Sequence, residues 1–388
     1  MKLNKKGILK AMTYGVVGTA VLAACSSEPV TNLTKSGLDR KDFQTTVNGD
    51  STDLYVLINA AGLEVCITNY GGRIVSLMVP DATGEFRDVV LGFNNIDAYT
   101  SQPSSFGATM GRFANRINNG QFVLGDDTVQ LDLNSGEHTI HGGPAGWRQQ
   151  VFAADQLNDS TLVLAYRSPN GESGFPGEVN VEVTFEVNEH NELTISYAAQ
   201  TAEKTVINMT NHSFFNLSGD VGNTVLEDVL YVNADRYTPL DTTLITTGEI
   251  LPVAGTPFDF TTPIAIGTAM ARDSVHPQLR IAEGIDQNLV LNTEGDISKL
   301  AARLYSSRRG IAMEVYTDEP GLQVYTGNML DGSQNGKDGQ PLGKQTAICL
   351  ETQHFPDSPN KPDWPSTVLE PGETYRSTCI YRFVAGHD

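Results

Sequence analysis

Cysteine is scarce in this chain: 4 residues in 388, at Cys25, Cys66, Cys349 and Cys379, with no close spacing among them. That excludes a dense disulfide framework and a cysteine-built zinc cluster, so an apolar core must hold the fold. Cys66 and Cys349 lie in apolar, strand-like runs, where a buried and inert thiol is expected. Basic residues are also outnumbered, 26 against 46 acidic ones. A surface of that sign repels nucleic-acid phosphate and anionic lipid, which excludes a nucleic-acid partner. No apolar run approaches the roughly 20 residues a spanning helix requires. The acids are dispersed and 39% of the residues are hydrophobic, so the chain is expected to fold rather than to belong to the disordered acidic class.

The first two dozen residues differ from the rest. Residues 1–24 carry Lys2, Lys5, Lys6 and Lys10, no acid, and an apolar stretch from Val16 to Ala24 broken only by Gly18 and Thr19. A basic start, a short apolar segment and small residues before a cleavage point make an export signal. Without those lysines the body holds 22 basic residues against 46 acidic ones, a net charge of −24. Leu22-Ala23-Ala24-Cys25 resembles the bacterial lipoprotein box, in which the cysteine, here Cys25, becomes the lipidated first residue. The alternative is an ordinary signal peptide with an incidental cysteine. A diacylated cysteine supplies the two-chain anchoring that one acyl chain cannot. Ser26 follows where lipoproteins retained elsewhere carry aspartate, which resembles those sent to the outer membrane. The expectation is an exported protein on the periplasmic face or outer membrane of a bacterial envelope, touching membrane only through Cys25. Residues 25–45 are expected to form a flexible tether, and 46–388 one domain.

Within that domain, strands and turns dominate. Val179 to Val187 alternates apolar and polar residues at every step, the pattern of a half-buried antiparallel strand. Leu193 to Tyr197 repeats it after Asn188-Glu189-His190-Asn191, which predicts a hairpin. Further strands are expected at 53–58, 63–68, 73–79, 121–123, 160–167, 206–210, 287–291, 301–305, 311–316, 321–326, 346–351 and 376–384. Helical turns are expected only at 94–99 and 264–272. The 37 glycines and 18 prolines are evenly spread, so no linker divides the domain. The fold class is therefore all-β, with stacked antiparallel sheets and a ligand on a concave face.

Histidine occurs 7 times, so each one can be weighed. His190 and His387 read as solvated, and His276 sits before Pro277 with no evident partner. His138 and His141 are three apart but lack a third ligand, which argues against zinc. His141-Gly142-Gly143 allows a tight turn close to a ligand, or simply an exposed turn. His212 lies among Asn208, Thr210, Asn211, Ser213 and Asn216, which can fix its tautomer; a satisfied core histidine is the equal alternative. Glu351 closes the apolar run 347–350, where partial desolvation raises a carboxyl toward the range of a general base, unless it turns to solvent. Asp286 is a comparable loop acid, and Arg112 and Arg116 flank Asn115 as candidate readers of hydroxyl groups or as surface charges.

Read in order, these windows resemble the aldose 1-epimerase (galactose mutarotase) family. The similar segments are Asn69-Tyr70-Gly71-Gly72-Arg73-Ile74, Gly111-Arg112-Phe113-Ala114-Asn115-Arg116-Ile117, His141-Gly142-Gly143, Thr210-Asn211-His212-Ser213, Gly284-Ile285-Asp286, Pro320 to Asn328, and Leu350-Glu351-Thr352-Gln353. The resemblance runs from about 46 to 384 and implies a single galactose-mutarotase-like β-supersandwich. It places Glu351 as general base and His212 as general acid, with Asn115, Arg116, His141, Asp286 and Gln323 as sugar-binding residues. Local departures are Pro144-Ala145-Gly146-Trp147 after the double glycine and Gln287 where histidine is frequent.

The activity that the resemblance implies is acid/base opening and closure of a free aldohexose such as galactose or glucose. Glu351 as carboxylate takes the C1 hydroxyl proton while protonated His212 donates to the ring oxygen; rotation about C1–C2 and the reverse steps give the other anomer. No metal or redox cofactor is called for, since no hydride is transferred, and the partner is a small aldose, with monomer and homodimer both open. A glycosidase would need two carboxylates flanking a glycosidic oxygen, and a sugar-phosphate enzyme a basic cluster. A non-catalytic sugar-capture lipoprotein is the other reading, although binding alone does not require an acid-base pair.

Overall fold

The computed structural model describes residues 33–101 and 104–386; the expected export signal 1–24, Cys25 and His387 lie outside them. The long alternating segments form one nine-stranded antiparallel sheet. Its order is 153–158, 161–168, 179–187, 192–201, 374–385, 311–317, 302–306, 229–232 and 264–265. Val179–Val187 and Glu192–Thr201 make the expected hairpin, with Val183 opposite Tyr197. The C-terminal strand Thr374–Ala385 then inserts between Glu192–Thr201 and Ile311–Thr317, so the sheet is completed only when the last strand arrives.

A five-stranded sheet lies against it, in the order 251–252, 236–238, 286–290, 321–325 and 349–353. A four-stranded meander, 54–58, 64–68, 73–80 and 86–88, extends the second layer. One contiguous core joins the layers. Val181, Val183, Phe185, Ile195 and Tyr381 from the large sheet belong to the same buried cluster as Leu289, Leu322, Val324 and Leu350 from the five-stranded sheet and Val65, Ile74 and Leu77 from the meander. Each such side chain contributes about 1.5–3 kcal/mol on burial, which supplies the cohesion that disulfides do not. Cys66, Cys349 and Cys379 are free and buried.

Strand period decides where function can sit. On the five-stranded sheet Leu322, Val324 and Leu350 point into the core, so by alternation Gln323 and Glu351, paired directly across adjacent strands, point to the other face. Asp286, opposite Tyr325, joins them there.

Four expectations are corrected. Of the expected tether 25–45, residues 33–45 pack on the domain: Leu38 and Phe43 are buried beside Leu54 and Val75, and Asp39 caps the turn Arg40–Phe43. Two apolar anchors outweigh the polar composition; residues 25–32 lie outside the described part. The strand expected at 206–210 is split, because Thr205–Val206 pairs with Val368–Leu369 while Thr210–His212 pairs with Ala108–Met110. Strand 346–351 shifts to Cys349–Gln353, dictated by pairing with Gly321–Tyr325. His276 does have a partner: it caps the unanticipated helix Pro277–Ile281, accepting the Gln278 N–H at 3.3 Å, with its ring edge-on to Phe258.

Candidate active site

A cavity of about 450 Å³ opens over the polar face of the five-stranded sheet. Asn115, Arg116, His141, His212, Asp286, Gln323 and Glu351, the residues singled out in the sequence, all line it. They come from separate stretches of chain, and backbone pairing explains their convergence.

Glu351 stands mid-strand and is only 2% exposed, so it does not turn to solvent. Tyr381 supports its strand from the core by donating its hydroxyl to the Leu350 carbonyl at 2.9 Å. His212, 6% exposed, ends the short strand Thr210–His212, where its carbonyl accepts the Gly107 N–H at 3.0 Å. Asn208 ties the two strands together. Its side chain accepts the His354 N–H at 3.0 Å and donates to the His354 carbonyl at 3.2 Å, three residues beyond Glu351. The result is a His212 Nε2 to Glu351 Oε1 separation of 3.7 Å.

The polar neighbours of His212 do not hold its ring, contrary to expectation. Asn211 donates to the Gly107 carbonyl, Asn216 to backbone carbonyls including that of Thr346, and Ser213 to Asn211. The imidazole is instead fixed by stacking on Phe214, with ring centroids 5.0 Å apart, and by the His141 ring edge-on at 5.2 Å. Its Nδ1 faces the Cys349 sulfur at 3.5 Å.

His141 adopts a positive φ of 51° and Asn115 one of 63°, and the Asn115 N–H donates to His141 Nδ1 at 3.1 Å. The glycine after the histidine is required by space as well as by conformation. A Cβ on Gly142 would lie 1.9 Å from the Gly111 carbonyl oxygen. The flanking candidates separate by role: Arg112 is buried and donates to Pro176, Gly177, Pro169 and Ser168, a structural clamp, whereas Arg116 lines the cavity. His138 is likewise structural, accepting the Asn119 N–H.

Burial controls the charges. It pushes the His212 pKa down to about 3, with the guanidinium charges of Arg148 and Arg73 acting the same way. It holds Glu351 well above the usual carboxylate range, reinforced by the charge of Asp286. Asp286 is itself raised by burial, opposed by Arg116 and by the 2.6 Å hydrogen bond from Gln323 Nε2. Burial thus favours the proton on Glu351 and disfavours one on His212, the reverse of the carboxylate and imidazolium expected from sequence. Glu351 Oε2 and Gln323 Oε1 are buried with no protein hydrogen-bond partner, leaving two acceptors available to ligand hydroxyls. His212, Cys349 and Glu351 also place donor atoms within 4.8 Å of one another. Burial raises the Cys349 thiol, so cation binding there would first have to strip a proton from buried sulfur.

The family model described as aldose 1-epimerase matches residues 53–382. The chain belongs to the aldose 1-epimerase family. It is thus an isomerase-type enzyme acting on aldose anomers. It is 40% identical to the galactose mutarotase of Mus musculus over 89% of this chain and 98% of that protein. It is 34% identical to the aldose 1-epimerase of Escherichia coli K12, over 87% and 97%. Among solved structures, an aldose epimerase homologue from C. elegans superposes with a TM-score of 0.80 at 28% identity, covering 87% of this chain and all of that one. Galactose 1-epimerase from Lactobacillus acidophilus gives 0.78 at 27%, over 88% and 97%.

The structure adds pocket residues that the sequence reading did not single out. Phe106, Phe214 and Tyr325 supply apolar ring faces, Ser104 and Ser105 hydroxyls, and the segment from Met329 to Leu342 one rim. Arg148 also lines the cavity, directly after the segment Pro144-Ala145-Gly146-Trp147 that departs from the family pattern. Only its neighbour Trp147 offered a signal, as the bulky residue that anchors this turn against Gly111.

Proposed function

We propose that this aldose 1-epimerase interconverts the α- and β-anomers of free aldohexoses, galactose and glucose among them, with Glu351 as base and His212 as acid. The observation that carries this reading is the buried Glu351–His212 pair, 3.7 Å apart on the wall of a sugar-sized cavity. The mutarotase names of its relatives support the choice of sugars.

Burial favours the proton of the resting pair on Glu351. Transfer from Glu351 to His212 Nε2 gives carboxylate and imidazolium without exchange with solvent. Glu351 then takes the proton of the C1 hydroxyl as the C1–O5 bond breaks, and His212 delivers its proton to O5. The products are the free aldehyde and, again, neutral carboxyl and neutral imidazole. Burial raises Glu351 and lowers His212, so it favours these two transfers and opposes the preceding one from Glu351 to His212 to the same extent. Rotation about C1–C2 presents the other carbonyl face, and closure reverses the transfers. Asn115, Arg116, His141, Asp286 and Gln323 hold the remaining hydroxyls while the ring opens.

Polarimetry of freshly dissolved α-D-galactose or α-D-glucose tests this. The purified protein should speed the approach to rotational equilibrium; sugar binding without acceleration would make it a capture protein instead.

We also propose export and lipidation at Cys25, so that sugars are met outside the cytoplasm. The order Leu22-Ala23-Ala24-Cys25 supports it. A Cys25→Ala variant should leave the membrane fraction, and its retention there would count against the anchor.

A further inference from the structure

Many cationic side chains here lie against a carboxylate, as Arg87 with Asp81 and Arg382 with Glu192 show. Arg148 is different. It is half-buried in the cavity wall, makes no ion pair with any described carboxylate, and its guanidinium makes no hydrogen bond among the described residues. Burial lowers its pKa, and the Tyr70 phenol is the group that opposes the shift. Directly behind it lies a second guanidinium without a carboxylate: Arg73, 1% exposed, whose Nη2 donates to the Arg148 carbonyl at 2.6 Å and whose Nε has no partner. Arg73 is met by the Phe106 and Arg148 carbonyls and by the rings of Tyr70 and Tyr99, so Arg148 is the guanidinium left for a ligand anion to complete.

The cavity is consequently polarised. Arg116 acts on Asp286 at the Gln323 end, while Arg148 and Arg73 act on His212. A Cβ on Gly146 would lie 2.3 Å from the His141 carbonyl oxygen, and the His141 ring stands edge-on to His212 at 5.2 Å, which sets the turn leading to Arg148 against the His212 end of the cavity. The remaining charged lining groups are Glu351 and the exposed Asp331. Sugar chemistry then fixes which substituent meets Arg148. His212 serves O5 and Glu351 serves O1. C6 is carried by C5, bonded to O5 on the side away from O1, so it emerges on the His212 side of the ring.

We infer that the Arg148 wall receives a carboxylate at C6, making hexuronic acids such as galacturonate better substrates than the neutral hexoses. This rests on the anomerase reading above. A carboxylate pairs with one guanidinium through two parallel charge-assisted hydrogen bonds, whereas a hydroxymethyl group offers a single neutral one. A phosphomonoester would bring nearly twice the charge to the same single fork, beside the carboxyls of Glu351 and Asp331.

Mutarotation rates of D-galacturonate, D-galactose and D-galactose 6-phosphate test the assignment with wild type, Arg148→Met and Arg148→Lys. Wild type should prefer galacturonate over galactose in kcat/KM by roughly 10- to 100-fold, the value of a hydrogen bond to a charged group. In Arg148→Met the preference should collapse, through KM for the uronate rather than kcat, because the carboxylate contact is made equally in ground and transition states. Arg148→Lys should retain part of it. Galacturonate should also raise the melting temperature of wild type and not that of Arg148→Met, whose melting temperature without ligand should not fall. A wild-type preference near one, a preference untouched by Arg148→Met, or selectivity for the phosphate would overturn the inference. Acceleration of galactose alone leaves the anomerase reading standing, and acceleration of no sugar removes both.

Discussion

Replacing Glu351 by glutamine keeps the shape of a buried side chain and removes its titration, so it separates chemistry from packing. The carboxyl is 2% exposed and is pushed well above its ordinary pKa by burial and by Asp286. Activity and stability should respond with opposite signs. Loss of the base should lower kcat by roughly 10²–10⁴-fold, the usual span of general acid/base catalysis. Stability should move the other way at high pH. A carboxyl whose folded pKa is raised contributes its stability below the unfolded value and loses it as pH rises through the folded one. Each unit of elevation corresponds to about 1.4 kcal/mol. The glutamine variant escapes that loss, so its urea midpoint relative to wild type should improve as pH rises from the unfolded carboxyl value, about 4.3, through the folded one. Polarimetric progress curves and urea titrations at several pH values measure both. Turnover within a few fold of wild type, or a variant that weakens relative to wild type as pH rises, would refute the reasoning.

His212→Asn should lower turnover by a similar factor while keeping a cooperative transition at neutral pH; an unfolded variant would return His212 to a purely structural role. Its pH dependence has a definite sign, since the His212 pKa falls from 6.5 to about 3 on folding. Stability is full above 6.5 and lost as pH falls toward 3, so wild type should lose more than the variant over that window in acid-unfolding curves. Asn208→Ala cuts the ties to His354 that bring the Glu351 and His212 strands together. It should cost about 1–3 kcal/mol of stability in urea unfolding and lower kcat more than it changes KM.

Legibility in the sequence depends on range. Val179 to Val187 announces itself because alternation is written residue by residue, and the hairpin turn is local too. Glu351, His212, Asp286 and Gln323 are legible because each lies in a short word whose order along the chain is itself a pattern. The split of 206–210 is not, because its halves take partners about 100 residues away or more, at Val368–Leu369 and Ala108–Met110. The seat of Phe43 is equally hidden, since nothing in a polar stretch says which distant side chains will cover one aromatic.

By itself, then, the sequence determined the all-β class, and its ordered windows, through their resemblance to the family, pointed to Glu351, His212 and the candidate sugar-binding residues, with residues 1–24 expected as an export signal. Those depend on residue type and local spacing. Tertiary structure decided the 3.7 Å approach of His212 to Glu351, the opposite directions in which burial shifts the two groups, the structural duty of Arg112 and the exposure of Arg148 to the cavity. Burial and electric field are properties of everything packed around a group. No stretch of chain carries them until the last strand, Thr374–Ala385, has closed the sheet.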